Sequence, residues 1–231
     1  MTAVGITDPQ PPTASDARVR RAASTALAVI VVLAPLSQVA AVLASWGPWD
    51  DPDPVASVYA HQQAYVTRAW FGQVGALTLA PATIAIGLLA KRGSSVLALV
   101  GLVLTVPGLL NTDGNPEDLL YGAARAGIPM ESARAAYEHL SELPALGPFG
   151  YYAYSLGFVV GGVILGVALF RGRIVPWWAG ACLAASGVIG LLGLLTPLGT
   201  VASTPVALIA WVLVTVAFTA CLPHLVRPER A

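Results

Sequence analysis

Long apolar segments alternate with short polar segments along most of this chain. Six segments consist almost entirely of apolar residues, and each is long enough to cross a lipid core as a helix. The predicted spans are residues 22–45, 69–90, 94–111, 148–170, 177–196 and 205–223. The pattern therefore predicts an all-α fold, a polytopic bundle of six transmembrane helices within residues 18–226.

A short basic hinge joins the second and third spans. Lys91, the only lysine of the chain, lies next to Arg92 between two closely spaced apolar segments. Short loops that carry Lys and Arg are retained on the cytoplasmic side of a membrane. With this hinge inside, the arginines before the first span, after the fourth and after the sixth all fall on the same side. We therefore expect a multi-pass protein of the plasma membrane with both termini in the cytoplasm.

The polar ends of the chain are expected to lie outside the bundle. Residues 1–17 are small, polar and rich in proline, so they cannot bury a core and are predicted to be a disordered tail. Residues 227–231 form a short C-terminal tail. A cleaved signal peptide is the rival interpretation of the first span, because Val42-Leu43-Ala44 resembles a cleavage site. The apolar run of the first span is longer than the apolar core of a signal peptide, which has roughly 7–15 residues, and this favours an uncleaved helix.

The polar segments on the opposite side carry most of the acidic residues and several helix-start signals. Asp53 followed by Pro54 is typical of an N-cap and a first helical position, so a short helix should lead into the second span. Residues 112–147 have another start at Asn115-Pro116 and a break at Gly127-Ile128-Pro129. This segment predicts two amphipathic helices that form an outer cap over the bundle.

The second of these cap helices is predicted over residues 131–143, with one charged face and one apolar face. The charged face carries side chains at helical spacing that can form ion pairs: Glu131, Arg134, Glu138 and Glu142. The other face, which is suited to packing, carries Ala133, Tyr137 and Leu140.

The fourth span contains two pairs of glycines that are four residues apart. Gly157 and Gly161 form the first pair, and Gly162 and Gly166 form the second. Small residues at this spacing let membrane helices approach one another closely. We expect these four glycines to be helix-packing positions.

Composition and charge narrow the function classes. Charged residues make up 10% of the chain, against about 25% in an ordinary soluble domain. The basic residues are spread over separate sites that flank the spans, so no nucleic-acid partner is expected. None of the six spans has an ionisable residue in its middle, which disfavours a proton pump or an ion channel built from side chains. A neutral or apolar partner, such as a lipid, an isoprenoid or another helix, suits this interior.

The sequence gives little support for a metal or cofactor site. The stretch from Asp113 through Asn115 to Glu117 resembles the start of an EF-hand loop, but Asp118 stands at the position that requires glycine. Ala124 stands where that loop needs a bidentate glutamate. There is also no phosphate-binding loop and no nucleophile elbow. We predict neither a metal nor a cofactor.

Four features resemble a known family. They are the Asp53-Pro54 helix start, the stretch Val66-Thr67-Arg68-Ala69-Trp70-Phe71, the tight Lys91-Arg92 turn, and Ile174-Val175-Pro176-Trp177-Trp178 at the start of the fifth span. In these the chain resembles a family of small six-helix integral membrane proteins of bacteria, of actinobacterial type, whose activity is unknown. The resemblance implies the six-span topology and no catalytic residues.

Two main hypotheses for function follow. The first is a non-catalytic integral membrane protein that binds membrane lipid or another hydrophobic ligand, or a partner membrane protein, including a second copy of itself. The second is a membrane-embedded enzyme that acts on a lipid or isoprenoid from the outer leaflet. Asp113 would then be the acid, with Glu117 or His61 assisting, because a partly desolvated carboxyl can hold a proton to donate.

A third hypothesis is facilitated permeation of a small neutral solute. It requires a continuous polar path through Gln38, Gln73 and Thr105, the neutral polar residues of the spans suited to line one.

Overall fold

The computed structural model describes residues 14–48, 51–110, 116–142, 148–195 and 203–226. Within these ranges the chain forms helices joined by short turns, and no β-strand is present. The helices are α1 (Ala14–Ala44), α2 (Pro54–Ala60), α3 (Gln62–Ala90), α4 (Ser95–Leu110), α5 (Pro116–Arg125), α6 (Met130–Glu142), α7 (Pro148–Gly172), α8 (Trp177–Leu195) and α9 (Ser203–Val226). The predicted all-helical class is therefore confirmed for the described residues.

The boundary of the predicted N-terminal tail differs from the structure. Residues 14–17, which the sequence pattern assigns to the tail, form the first turn of α1. The physical reason is local, since no proline or glycine interrupts the chain between Pro12 and Pro35. Residues 1–13 and 227–231, the rest of the predicted tails, lie outside the described residues.

Three helices are long and apolar enough to cross a membrane, judged by length and composition. These stretches are Arg21–Ala44, Gln62–Ala90 and Thr204–Val226. Three further apolar stretches, in α4, α7 and α8, are shorter: Ser95–Leu109, Leu156–Gly172 and Trp177–Leu192. The described part of the chain thus has the character of a membrane protein.

These six apolar helices pack in a closed ring that follows the order of the chain. α1 packs against α3, α3 against α4, α4 against α7, α7 against α8, α8 against α9, and α9 returns to α1. Neighbours in the ring run antiparallel. For example, Gly93 before α4 lies against Gly172 at the end of α7, while Gly108 near the end of α4 lies against Gly157 near the start of α7.

Apolar side chains fill the inside of the ring and also cover its outside. One continuous core includes Ile86 of α3, Leu165 of α7 and Val214 of α9, none of them more than 2% exposed. On the outer surface, Leu77 is 76% exposed and Val96 is 72% exposed. Helices that are apolar on all sides are typical of a protein surrounded by lipid. In water this outer surface would be a large exposed apolar patch.

The two ends of the ring differ in charge. We call one the basic end; it holds Arg18, Arg21, Lys91, Arg92, Arg171 and Arg173. Among the described residues, Asp16 is the one acidic residue at the basic end. The opposite end, the cap end, holds Asp51, Asp53, Glu131, Glu138 and Glu142 together with Arg68, Arg125 and Arg134.

Helices α2, α5 and α6 form a small layer at the cap end, which we call the cap. They pack on one another, and α2 and α5 also contact α3. The predicted N-cap is confirmed, because Asp53 accepts hydrogen bonds from the backbone N–H groups of Val55 and Ala56. The predicted break is confirmed too: Gly127 adopts a left-handed φ of 72° between α5 and α6. A second core lies between this layer and the start of α3 and comprises Val55, Val58, Tyr65, Leu120 and Ala133.

Candidate functional site

Close backbone contacts hold α7 against its two neighbours. A Cβ placed on Gly157 would lie 2.7 Å from the carbonyl oxygen of Leu104 in α4, and one on Gly161 would overlap the Thr105 hydroxyl. On the other side, a Cβ on Gly166 would lie 2.5 Å from the backbone nitrogen of Ala184 in α8. Any larger residue at these positions would push the helices apart.

The fourth predicted packing glycine behaves differently. Gly162 is buried, yet a Cβ built on it would meet nothing within 4 Å. The close approach of α7 to α4 and α8 therefore uses Gly157, Gly161 and Gly166, and it leaves space beside Gly162.

An apolar groove opens between α4 and α7 toward the cap end. Its volume is about 620 Å³. Its lining residues are Val103, Leu104, Pro107, Gly108, Leu156, Gly157 and Val160. All of them are aliphatic, proline or glycine, and the groove opens sideways on the outer apolar surface, where Val103 is 62% exposed and Leu156 is 48% exposed. This volume lies in the range of sites for small molecules.

The local sequence explains why this groove forms. Gly157 and the neighbouring Gly108 have no side chains, so the backbones of α4 and α7 meet there and form a floor. Pro107 cannot donate a helical hydrogen bond to the carbonyl of Val103, and its ring disfavours straight helix geometry. Branched side chains on either side form the walls, and nothing polar from these residues enters.

The cap connects the two helices that line this groove. Helices α5 and α6 follow α4 in the chain and precede α7. α6 is fastened to α2 by an ion pair, in which Arg134 Nη2 lies 2.6 Å from Asp53 Oδ2. The hydrogen bond from Arg134 and those from the backbone of α2 hold the pKa of the Asp53 carboxyl below its usual range. The hydrogen bond to Asp53 raises the pKa of Arg134 in turn, so both members of the pair are charged at neutral pH.

Tyrosine hydroxyls add two further links at the cap end. Tyr59 of α2 donates to the carbonyl oxygen of Ile128, in the turn between α5 and α6, at 2.8 Å. Buried Tyr65 of α3 lies 3.4 Å from the Ser57 hydroxyl, and Ser57 donates to the Pro48 carbonyl at 2.7 Å. These hydrogen bonds join α2 to the end of the first helix and to the cap turn.

The three catalytic candidates are only partly placed. His61 is exposed where α2 gives way to α3, and its Nδ1 lies 3.2 Å from the Ser57 carbonyl oxygen. Asp113 lies outside the described residues. Glu117 lies in the first turn of α5, but its side chain lies outside them too. In the described part of the chain, no three His, Cys, Asp or Glu side chains are grouped so as to hold a metal ion.

The polar residues of the permeation hypothesis are not brought together. The Gln38 amide lies against Gly75 between α1 and α3, and Gln73 is on the exposed face of α3. Thr105 is buried between α4 and α7 and donates to the Gly101 carbonyl in its own helix at 2.7 Å. The structure shows no continuous polar path through these three residues.

Two features of the site were not anticipated from the sequence. The Asp53–Arg134 pair joins residues 81 positions apart, and sequence spacing assigns Arg134 to pairs within its own helix instead. The groove depends on which faces of α4 and α7 meet. Its one local signal is Pro107-Gly108 in α4.

Comparisons with known proteins do not place the chain in a family. No family model matches it, and neither a curated protein nor a solved structure matches it significantly.

Proposed function

We propose that this chain is an integral membrane protein that crosses the bilayer six times and binds a hydrophobic chain, without catalysis, in the groove between α4 and α7. Both termini lie in the cytoplasm, and the cap lies on the outer side of the plasma membrane. The observation that carries the ligand proposal is the groove itself, which has an aliphatic lining, a volume of about 620 Å³ and a lateral opening.

Helix length and packing support six passes. Three helices have the length and composition of a span, and α7 and α8 have 25 and 19 residues, or about 37 and 28 Å at 1.5 Å per residue. α4 has 16 residues, and the described range ends with it. All six pack side by side in one ring with alternating directions, which supports placing the three shorter helices in the same bilayer as the three longer ones.

The separation of charge supports the orientation. Lys91 and Arg92 belong to a short connection, for which the positive-inside rule is strongest. The arginines of α1 and those at the end of α7, Arg171 and Arg173, lie at the same end of the ring. The cap end has most of the acidic side chains and two exposed helices, and it is proposed to face outward.

The chemistry of the groove selects the ligand class. A groove lined by Val, Leu, Pro and Gly offers no partner to a charged or hydrogen-bonding group, so an acyl or isoprenoid chain is the ligand that suits it. A partner helix would have to fit against the same lining, and it is the alternative occupant that the experiment distinguishes.

A photoreactive fatty acid tests this proposal. In the full-length protein in membranes, a diazirine fatty acid should cross-link to residues 103–108 and 156–160 in preference to the rest of the outer surface. Val103→Phe should fill the groove and reduce cross-linking several-fold. Val96→Phe is the matched control, because Val96 is also exposed (72%, against 62% for Val103) on the same face of α4, two turns away.

Two outcomes contradict the proposal. One is cross-linking spread evenly over the apolar surface, and the other is an equal effect of the two phenylalanine variants. With a photoreactive amino acid in place of Val103, cross-links to protein and not to lipid would indicate a partner helix instead. Asp113→Asn should leave cross-linking unchanged, whereas loss of a lipid-modifying activity in that variant would support the enzyme hypothesis.

A further inference from the structure

A second, smaller groove lies at the basic end between α1, α3 and α9. Its volume is about 250 Å³, and its apolar lining includes Leu27 of α1, Ile84 and Leu88 of α3, and Leu225 of α9. Leu88 is 58% exposed, so the groove opens on the outer apolar surface. Arg92, which follows α3, lines the same groove. An aliphatic wall thus ends at a guanidinium group.

Positive charge is concentrated where this groove ends. Lys91 and Arg92 are both exposed, and Arg21 is exposed on α1 less than two turns before Leu27. The nearest acidic residue along α1 is Asp16, about 16 Å from Leu27 at 1.5 Å per residue. Arg92 also takes part in an interaction within the fold, and a guanidinium has several N–H donors and can hold a phosphate as well.

We propose that this groove binds an anionic phospholipid of the cytoplasmic leaflet. One acyl chain lies along Leu27, Ile84, Leu88 and Leu225, and the phosphate meets Arg92, with Lys91 beside it. Basic pockets between membrane helices on the cytoplasmic side bind anionic headgroups, and the planar guanidinium matches phosphate oxygens in pairs. The inference rests on the membrane placement proposed above, but it does not depend on the groove between α4 and α7.

Size and charge favour a lipid as the occupant. A helix with its side chains is about 10–12 Å across, so a groove of 250 Å³ admits a hydrocarbon chain but no helix. The groove between α4 and α7 has an aliphatic lining without a charged residue, whereas this one pairs an aliphatic lining with Arg92. An anionic headgroup is therefore specific to the basic end.

Native mass spectrometry of the full-length protein tests the site with two lipids of equal chain length, dioleoylphosphatidylglycerol and dioleoylphosphatidylcholine. The wild type should retain the anionic lipid about five-fold better, the preference expected for one basic residue near a headgroup. Arg92→Gln should remove this preference. Ile84→Trp should reduce retention of the anionic lipid, because Ile84 is exposed in the groove and the larger ring fills it. Arg171→Gln, an exposed charge at the same end, should retain the preference.

Four results would overturn the proposal. Equal retention of the two lipids by the wild type would contradict the proposed lipid site but not the membrane placement. An equal effect of Arg92→Gln and Arg171→Gln on the lipid preference would show diffuse attraction of the anionic lipid to the whole basic end. Absence of every lipid adduct from the wild type would contradict both the proposed lipid site and the membrane placement.

If Arg92→Gln does not fold, measurements on the wild type alone test the lipid site. Retention of phosphatidylglycerol in excess of phosphatidylcholine, with no retention of glycerol phosphate, supports a site for headgroup and chain together. Retention of glycerol phosphate alone contradicts it.

Discussion

Arg134 of α6 donates a hydrogen bond to the Asp53 carboxylate at 2.6 Å, across 81 residues of sequence. Through its other oxygen, Asp53 accepts the backbone N–H groups of Val55 and Ala56, each at 3.1 Å. One side chain therefore caps α2 and fastens α6 to it. Because α5 and α6 connect α4 to α7, this ion pair ties the connection between the two groove helices to the rest of the cap.

The cap is expected to loosen in acid. The pKa of Asp53 is lowered by Arg134 first and by the backbone of α2 next, from an ordinary value of 3.8. A carboxyl whose pKa is lowered by folding stabilises the fold above its ordinary pKa, and this contribution is lost as the pH falls through the lower, folded value. The attachment of α6 to α2 should therefore be constant between pH 7 and pH 5 and should weaken below pH 3.8.

Spin labels at Ala60 and Ala135 measure this attachment, since both residues are exposed, one on α2 and one on α6. The native cysteines Cys182 and Cys221 are first replaced by alanine. The distance between the labels should be narrowly distributed at pH 7, and its distribution should broaden only well below pH 3.8, once the carboxyl is protonated at its lowered pKa. Asp53→Asn keeps an N-cap residue but removes the charge, so its distribution should already be broad at pH 7. A narrow distribution in that variant would contradict the role of the ion pair.

Two alanine substitutions in α7 should have opposite effects on stability. Gly166→Ala places a Cβ 2.5 Å from the Ala184 backbone nitrogen and should lower the free energy of unfolding by about 1–3 kcal/mol. Gly162→Ala meets nothing within 4 Å and removes a flexible residue from a helix, so it should be neutral or stabilising by up to about 1 kcal/mol. Thermal unfolding of both variants in the same detergent measures the difference, and equal destabilisation would argue against the helix contact described for Gly166.

Two leucines of α3 lie on different sides of the helix, one in the core and the other on the outer surface. Leu79 is 4% exposed and Leu77 is 76% exposed. Leu79→Ala should cost about 2–5 kcal/mol, because it leaves a cavity in the ring. Leu77→Ala should cost far less in a bilayer, since lipid chains replace the lost contacts. Unfolding in lipid nanodiscs compares them, and a similar cost for both would contradict a lipid-facing position of Leu77.

Local chemistry made much of the cap predictable. Asp53-Pro54 caps and starts α2, and Gly127 ends the α5 segment because it adopts a left-handed φ. Helix α6 begins and ends within one residue of its prediction, at Met130 and Glu142. These features depend on the backbone groups of a few neighbouring residues, so a short stretch of sequence is enough to predict them.

Features that join distant residues were not predictable in the same way. Arg134 has acidic neighbours at helical spacing and also forms an ion pair with Asp53, because the packing of α6 on α2 places that carboxylate 2.6 Å from its guanidinium. The groove at Pro107 and Gly157 and the contact between α1 and α9 depend on how the helices are rotated about their axes. Helices that are apolar on all sides have no periodic pattern that specifies this rotation.

The labelling of a single cysteine at position 135 tests the central claim, six passes with the basic end in the cytoplasm. Ala135→Cys, on the exposed face of α6, and Ser95→Cys, exposed after the Lys91-Arg92 turn, are compared without Cys182 and Cys221. A membrane-impermeant maleimide should label position 135 in intact cells and position 95 only after permeabilisation. Labelling of position 95 in intact cells, with position 135 protected, would show the opposite orientation and contradict the account.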